Sequence, residues 1–317
     1  GIVVMTTEVL RNMIYVDAAV LDDVEFVILV EVHYLQDRFR GAVWEEVIIH
    51  APQHVKLVCL SATVSNAQEF VDWLRERRGD VAWVSSDHRP VPLERMHLVA
   101  DRLSEPSLRL FSLFTSRESR ELPNRRLSSM LAKGRSRYRT PGRVETIGFL
   151  HGLEMLPAIY FIFSRAGCEA ASRTLIESGI RLTDVEQRQR IRAFVEERTA
   201  HLSDGDLSVL GYSLWVAGLE AGVAAHHAGL VPAFKETVEE LFRMGLVRVV
   251  FATETLALGI NMPARTVVLD ALSKYDGEGH SLLGPGDYTQ LTGRAGRRGI
   301  DDIGYGVTLH SRFLPVD

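Results

Sequence analysis

The sequence predicts an α/β fold in two domains, each a mostly parallel sheet flanked by helices. Short, predominantly apolar runs of strand length recur along the chain, among them Val24-Glu-Phe-Val-Ile-Leu-Val30, Pro157-Ala-Ile-Tyr-Phe-Ile-Phe163 and Val247-Arg-Val-Val-Phe-Ala252. Runs of this kind suit strands of a parallel sheet covered on both faces. Most of them lead into a stretch with helical spacing of apolar residues, the alternation that builds such sheets. The length of 317 residues, 46% of them hydrophobic, is enough for two cores.

Composition narrows the setting. There is no run of about 18 apolar residues, so no membrane span is expected. Cys59 and Cys168 stand apart with no Cys-x-x-Cys partner, which argues against zinc and against a disulfide framework and suits a reducing cytoplasm. The net charge of -5 and pI near 6.2 exclude a globally basic nucleic-acid binder, so any such site is a local groove. The opening Gly1, with no initiator Met and no signal peptide, leads us to expect an internal fragment.

The first domain is expected over residues 1–101. A strand-like Ile2-Val-Val-Met5 leads into Thr6-Thr-Glu-Val-Leu-Arg-Asn-Met-Ile-Tyr15, where hydroxyls and an acid precede a helical apolar pattern. Val24–Val30 delivers Glu31-Val-His33 at its carboxyl end, where open α/β sheets bind ligands. A carboxylate there can orient and deprotonate an attacking water. Lys56-Leu-Val-Cys-Leu60 is a second buried strand ending in Ser61-Ala-Thr63, and Ser65 to Gln68 form a capping box for the helix through Trp73. Val81–Ser85 is expected to be a further strand.

Residues 102–146 break the alternation. Between 116 and 143 nine Arg or Lys face only Glu118 and Glu121, an excess of +7 (9 minus 2), and Pro123, Gly134, Pro141 and Gly142 point to a basic linker or insertion. Such charge could meet nucleic-acid phosphates, although a solvated linker explains it as well.

The second domain is expected over 147–317. The run ending at Ser164 is a buried strand, with a helix from Ala166 to Glu177. Residues 184–200 and 205–219 read as amphipathic packing helices. His226 and His227 follow Val223-Ala-Ala and are assigned to local structure, ahead of a helix from Pro232. Val247–Thr253 and Thr266–Asp270 give two more strands, and the stretch from Lys274 to Pro285 is a glycine-bearing loop.

The chain then reaches Asp287-Tyr-Thr-Gln-Leu-Thr-Gly-Arg-Ala-Gly-Arg-Arg-Gly-Ile-Asp301. A short helix over 287–296 would put Arg294 and Arg297 on one face with Gln290 a turn earlier. Guanidinium groups match phosphate oxygens in pairs and stay charged, while Gly293, Gly296 and Gly299 allow close backbone approach.

Six segments now stand in order: Thr6–Tyr15, Glu31–Gly41, Ser61–Thr63, Pro157–Ser164, Val247–Pro263 and Asp287–Asp301. They resemble motifs Ib, II, III, IV, V and VI of the DExH-box superfamily 2 helicases, in the Ski-type branch. The resemblance implies two RecA-like domains with ATP and Mg2+ in the cleft between them, single-stranded RNA or DNA across both, and 3′-to-5′ movement. It implies that Glu31 activates water, that Gln290 helps place it, and that Arg294 and Arg297 stabilise the transferring phosphate charge. It puts His33, Gly259, Asn261 and Gly293 on the nucleotide side, and Thr7, Glu8, Arg11, Ser164, Arg165 and Thr253 on the nucleic acid. Ser61 and Thr63 would couple the two, and RNA-processing proteins would be fitting partners.

Two departures qualify what the resemblance implies. Val30 stands where these helicases carry the Asp that holds magnesium, and no Gly-Lys pair exists to build a phosphate-cradling loop. The expectation is therefore a piece of an ATP-dependent helicase that does not itself hydrolyse ATP. The alternative is a helicase-derived binding module without turnover. Backbone-gripping motifs do not decide RNA against DNA.

Overall fold

The computed structural model describes residues 1–36, 40–61, 67–86, 88–115, 122–134, 136–257, 261–275 and 279–311. The chain divides into two compact units, Gly1–His88 and Arg89–Asp317.

In the first unit, α1 (Thr7–Val16) begins where the Thr6 hydroxyl accepts the Val9 N–H at 3.4 Å, and it buries Leu10 and Ile14, one turn apart. β1 (Phe26–Val30), α2 (Gly41–His50), β2 (Lys56–Leu60) and α3 (Ala67–Arg78) follow. β1 and β2 pair in parallel with Val30 opposite Leu60. Their inward side chains join Trp44, Val47, Ile48 and Leu74 in one core. Arg78 closes the unit by donating to the carbonyls of Ala51, Pro52 and Val55 at 2.5, 3.0 and 2.7 Å.

The two strands differ from the expected two-sided burial. Phe26, Ile28 and Val30 are 50, 61 and 57% exposed, and Val58 and Leu60 stand beside them on the same face. A two-stranded sheet has one covered face here, because α1, α2 and α3 contribute to a single core. Two other expectations also change. Residues 1–6 and 81–86 form no strand, and Ile2, Val4 and Val84 are more than nine-tenths exposed. The helix predicted after Ser65 begins at Ala67, and its capping box lies partly outside the described residues.

The second unit starts earlier than the sequence suggested. Its elements are β3 (Leu93–Asp101), β4 (Leu108–Ser112), the short pair β5 (Phe114–Thr115) and β6 (Leu122–Pro123), α4 (Arg125–Lys133), β7 (Tyr138–Arg139) and α5 (Arg143–Gly152). Next come β8 (Ala158–Phe161), α6 (Arg165–Glu177), α7 (Val185–Thr199), α8 (Asp204–Val209), α9 (Tyr212–Glu220), β9 (Val223–His226) and α10 (Pro232–Arg243). β10 (Val249–Ala252), β11 (Thr266–Leu269), the hairpin β12 (Ser273–Tyr275) and β13 (His280–Leu282), α11 (Pro285–Thr292) and β14 (Gly304–Leu309) complete it.

One sheet runs in the order β4-β3-β14-β11-β8-β10-β9, with β7 also on β3. Every neighbouring pair from β3 to β9 is parallel, and only β4 and β7 run antiparallel. β8, β9, β10 and β11 are buried at every residue, as their unbroken apolar runs predict. Helices on the two faces give two cores, one around Tyr160, Phe251, Ile147 and Leu175, the other around Phe161, Val250, Leu219 and Leu241. Each such side chain stabilises the fold by about 2 kcal/mol on burial.

The placement of residues 89–146 corrects the division at 101 and the reading of 102–146 as a linker. Asp101, at the end of β3, is fully buried and accepts from Arg137 Nε and Nη2 at 2.7 and 2.6 Å, with Arg109 Nη1 3.6 Å away. Arg139 pairs with Glu145, and Arg143 with Asp270. Three of the nine basic residues, Arg137, Arg139 and Arg143, are thus engaged in internal ion pairs, while Leu127 and Leu131 of α4 pack on Val99 and Tyr138. The helix predicted over 205–219 is two helices, because Gly211 adopts φ +67 between them.

Candidate functional site

In the first unit the carboxyl end of β1 carries Val30, Glu31 and His33. Glu31 has φ +66, a left-handed conformation that a residue with a Cβ adopts at a cost of roughly 1–2 kcal/mol. The strain turns the chain sharply out of the strand into the turn Val32–Gln36. His33 Nδ1 then lies 3.2 Å from Glu31 Oε2 and 3.5 Å from Ser61 Oγ, at the end of the neighbouring strand. The imidazole stacks on Tyr34 at 4.7 Å. Both polar neighbours approach the same ring nitrogen, so this is a carboxylate-imidazole-hydroxyl cluster and not a proton relay through the ring.

The structure thus brings together Glu31, His33 and Ser61, which the sequence assigned to separate roles. Thr63 lies outside the described residues. Val30 is exposed and presents an aliphatic side chain at the strand end, and among the described residues no group of three or more His, Cys, Asp or Glu could hold a metal. Carboxylate oxygens are what magnesium requires. The residues present do not fit a magnesium site, and without a Gly-Lys pair they do not supply a phosphate loop either.

Thr7, Glu8 and Arg11 share the first turns of α1. Glu8 is exposed, and Arg11 is held by Asn12 Oδ1 at 3.0 Å and lies 3.6 Å from Glu46.

In the second unit the carboxyl ends of three adjacent strands line up, since β10 lies between β8 and β9. Ser164 follows β8 and caps α6 by accepting the Gly167 N–H at 3.2 Å, which leaves Arg165 exposed at the helix start. His227 follows β9; it donates from Nε2 to Glu169 at 2.8 Å and accepts from the Gly229 N–H at 3.1 Å. Thr253 follows β10, is buried, and shares a 2.9 Å hydrogen bond with the Thr255 hydroxyl. His226 Nε2 lies 2.8 Å from Glu239, so both histidines hold neighbouring helices in place. Asn261 is exposed, and Gly259 lies outside the described residues.

The arginine-rich segment departs from its predicted form. α11 ends at Thr292, so Arg294 and Arg297 do not share a helix face. Ala295 bridges to Ala264, with Arg294 O accepting from the Ala264 N–H at 2.9 Å and the Gly296 N–H donating to Ala264 O at 2.7 Å. Gly296 takes φ +86 there, which a helix cannot accommodate. At Gly293 a Cβ would lie 2.8 Å from Thr289 O, so glycine permits the close exit. Gln290 is half-buried on the last turn of α11. Arg294 Nη2 donates to the Ala257 carbonyl, and Arg297 pairs with Asp301.

Sequence reading missed Arg89, whose side chain donates to Val91 O from Nε at 2.8 Å and to Gly293 O from Nη2 at 3.3 Å, and also to Ala295 O. The only signal was its place before Pro90 and Pro92, which mark an extended entry to the unit.

Comparison with known proteins agrees with this geometry. Residues 1–70 match the DEAD/DEAH box helicase family and residues 173–299 the helicase conserved C-terminal domain. The chain is 51% identical over its whole length to a probable helicase HelY of Mycobacterium tuberculosis, covering 37% of that protein. It is 39% identical over 98% of its length to the DExH-box ATP-dependent RNA helicase DExH15 chloroplastic of Arabidopsis thaliana, covering 30% of it. The same identity and share hold for the human Superkiller complex protein 2, of which 26% is covered. The chain thus spans about a third of the length of the curated relatives it matches.

Proposed function

Because this chain belongs to the DExH-box superfamily 2 helicases of the HelY and Ski2 type, with DEAD and helicase C-terminal segments as its two RecA-like domains, we propose that it is the nucleic-acid-gripping part of an ATP-dependent helicase. The machinery it derives from moves 3′ to 5′ along a single strand, Val30 disables that movement here, and the strand it grips is RNA. The Arabidopsis relative, named as an RNA helicase, supports RNA, and the direction rests on the family resemblance.

The observation that carries the reading is the alignment of Arg165, His227 and Thr253 at the carboxyl ends of three neighbouring parallel strands. Ligands of open α/β sheets bind at that edge. A free guanidinium at a helix start and hydroxyls beside it suit phosphate oxygens, which position a strand without reading its bases. Glu31, His33 and Ser61 form the corresponding cluster in the first unit. The 317-residue chain itself does not turn over ATP, since Val30 leaves the strand end without a metal-binding carboxylate.

Binding of labelled single-stranded RNA and DNA to the chain over a salt series tests this. Affinity should fall linearly with log salt, and Arg165→Ala should weaken binding and reduce the slope by about one. Salt-independent binding, or an Arg165→Ala variant with unchanged affinity, would contradict the proposal.

A further inference from the structure

We infer that Arg89 is a positioning residue for Arg294, fixing the backbone on both sides of it from the point where the chain enters the second unit. Arg89 is the first residue of that unit, more than 200 positions from the segment it holds. Its planar fork reaches Val91 O within its own strand entry and the carbonyls of Gly293 and Ala295, the two neighbours of Arg294. One rigid donor group therefore ties the entry segment to the turn that carries Arg294.

The packing around this contact is equally close. A Cβ on Gly296 would lie 2.7 Å from Val91 Cγ1, and a Cβ on Gly304 would lie 2.5 Å from the Gly296 nitrogen. Gly304 N donates to Pro92 O at 2.8 Å. Residues 89–92 are thus seated between the Arg294 turn and the start of β14, with Gly296 and Gly304 leaving the room. On the opposite side Ala264 holds the same turn by its two backbone hydrogen bonds. Arg294 has no helix to fix its direction, because α11 has already ended. Its backbone is fixed by Ala264 on one side and by Arg89 on the other.

The inference rests on the helicase reading only for what Arg294 does; the positioning is tested without nucleotide or nucleic acid. Amide hydrogen exchange of the 317-residue chain would be compared for Arg89→Ala, Arg89→Lys and, as a control, Arg78→Ala, which removes a similar three-carbonyl clamp in the first unit. Exchange of the amides from Gly293 to Arg297 should accelerate about tenfold or more in Arg89→Ala and less in Arg89→Lys, with β8 and β10 unchanged. The side-chain Nε–H resonance of Arg294 should move in both Arg89 variants and stay in place in Arg78→Ala. Unchanged exchange at 293–297 in both Arg89 variants, equal acceleration throughout the unit, or an unmoved Arg294 signal would overturn the inference. Arg89→Lys keeps the stem and charge and decides the question should Arg89→Ala fail to fold.

Discussion

Asp301 closes on Arg297 through three hydrogen bonds: Oδ2 accepts from the Arg297 backbone N–H at 2.9 Å and from Nε at 2.8 Å, and Oδ1 accepts from Nη2 at 2.8 Å. The Asp301 side chain is 3% exposed. Burial by itself would raise its carboxyl pKa, but the hydrogen bonds from Arg297 and the charges of Arg297 and Arg265 outweigh it and hold the pKa below the ordinary 3.8. The fork that the motif offers to a phosphate is thus occupied within the chain.

Removing this carboxylate should be costly. Asp301→Ala deletes a paired, shielded anion and leaves Arg297 without its acceptors, and about 2–3 kcal/mol of stability should be lost in denaturant melts. Since the folded pKa is depressed, the contribution of this pair is present above pH 3.8 and disappears as the pH falls through the folded value. Wild type and variant should therefore converge at strongly acidic pH, and a constant difference down to pH about 2 would refute the ion-pair account.

His97 sets a second acid window. It lies in β3, is 1% exposed, and its Nδ1 is 2.9 Å from the Thr308 hydroxyl. Burial, then the neighbouring His310, pushes the imidazole down from 6.5 to about 4. Between those values the unfolded chain binds a proton that the folded chain refuses, so stability should fall as the pH falls across the window. The total should be about 3 kcal/mol. His97→Gln, which cannot titrate, should flatten the pH dependence of unfolding between pH about 6.5 and about 4. An unchanged slope would show that other groups carry it.

Glu31 offers a test that needs no activity. At φ +66 the backbone suits glycine, whereas alanine keeps the strain and loses the carboxylate. Glu31→Gly should be more stable than Glu31→Ala by about 1 kcal/mol in paired denaturant melts. Equal stability would mean that the left-handed turn is absent in solution.

Val30 is more than half exposed at the end of β1. Val30→Asp should therefore fold with a stability change of about 0.5 kcal/mol or less, measured by the same melts. A large loss would mean that the strand end is covered.

The central strands of the second unit were legible because β8, β10 and β11 are unbroken apolar runs whose burial depends little on distant partners. Helix starts at Thr6 and Pro232 were legible from local capping and first-turn chemistry, whereas the Ser164 cap was not read from the sequence. β3 and β14 were not recognised as strands of the second unit's sheet, and they pair across more than 200 positions. The register of His97 with Thr308 is a tertiary fact that no local window contains. Arg137 looked like linker charge because its partner, Asp101, lies 36 residues away in the chain and is buried. The arginine segment was recognisable by residue type, but its geometry was not, since the bridge to Ala264 and the Arg89 clamp ended the expected helix. At the first site, Glu31, His33 and Ser61 were each singled out by residue type and place, but neither their meeting at one ring nitrogen nor the strained turn that joins them was legible.

The most direct test of the account is nucleic-acid-stimulated phosphate release by the full-length gene product with residue 30 as Val and as Asp, at matched folding and salt. The account predicts turnover in the Asp form only, with the 317-residue chain silent in either form. Turnover by the Val form at the rate of the Asp form would contradict it.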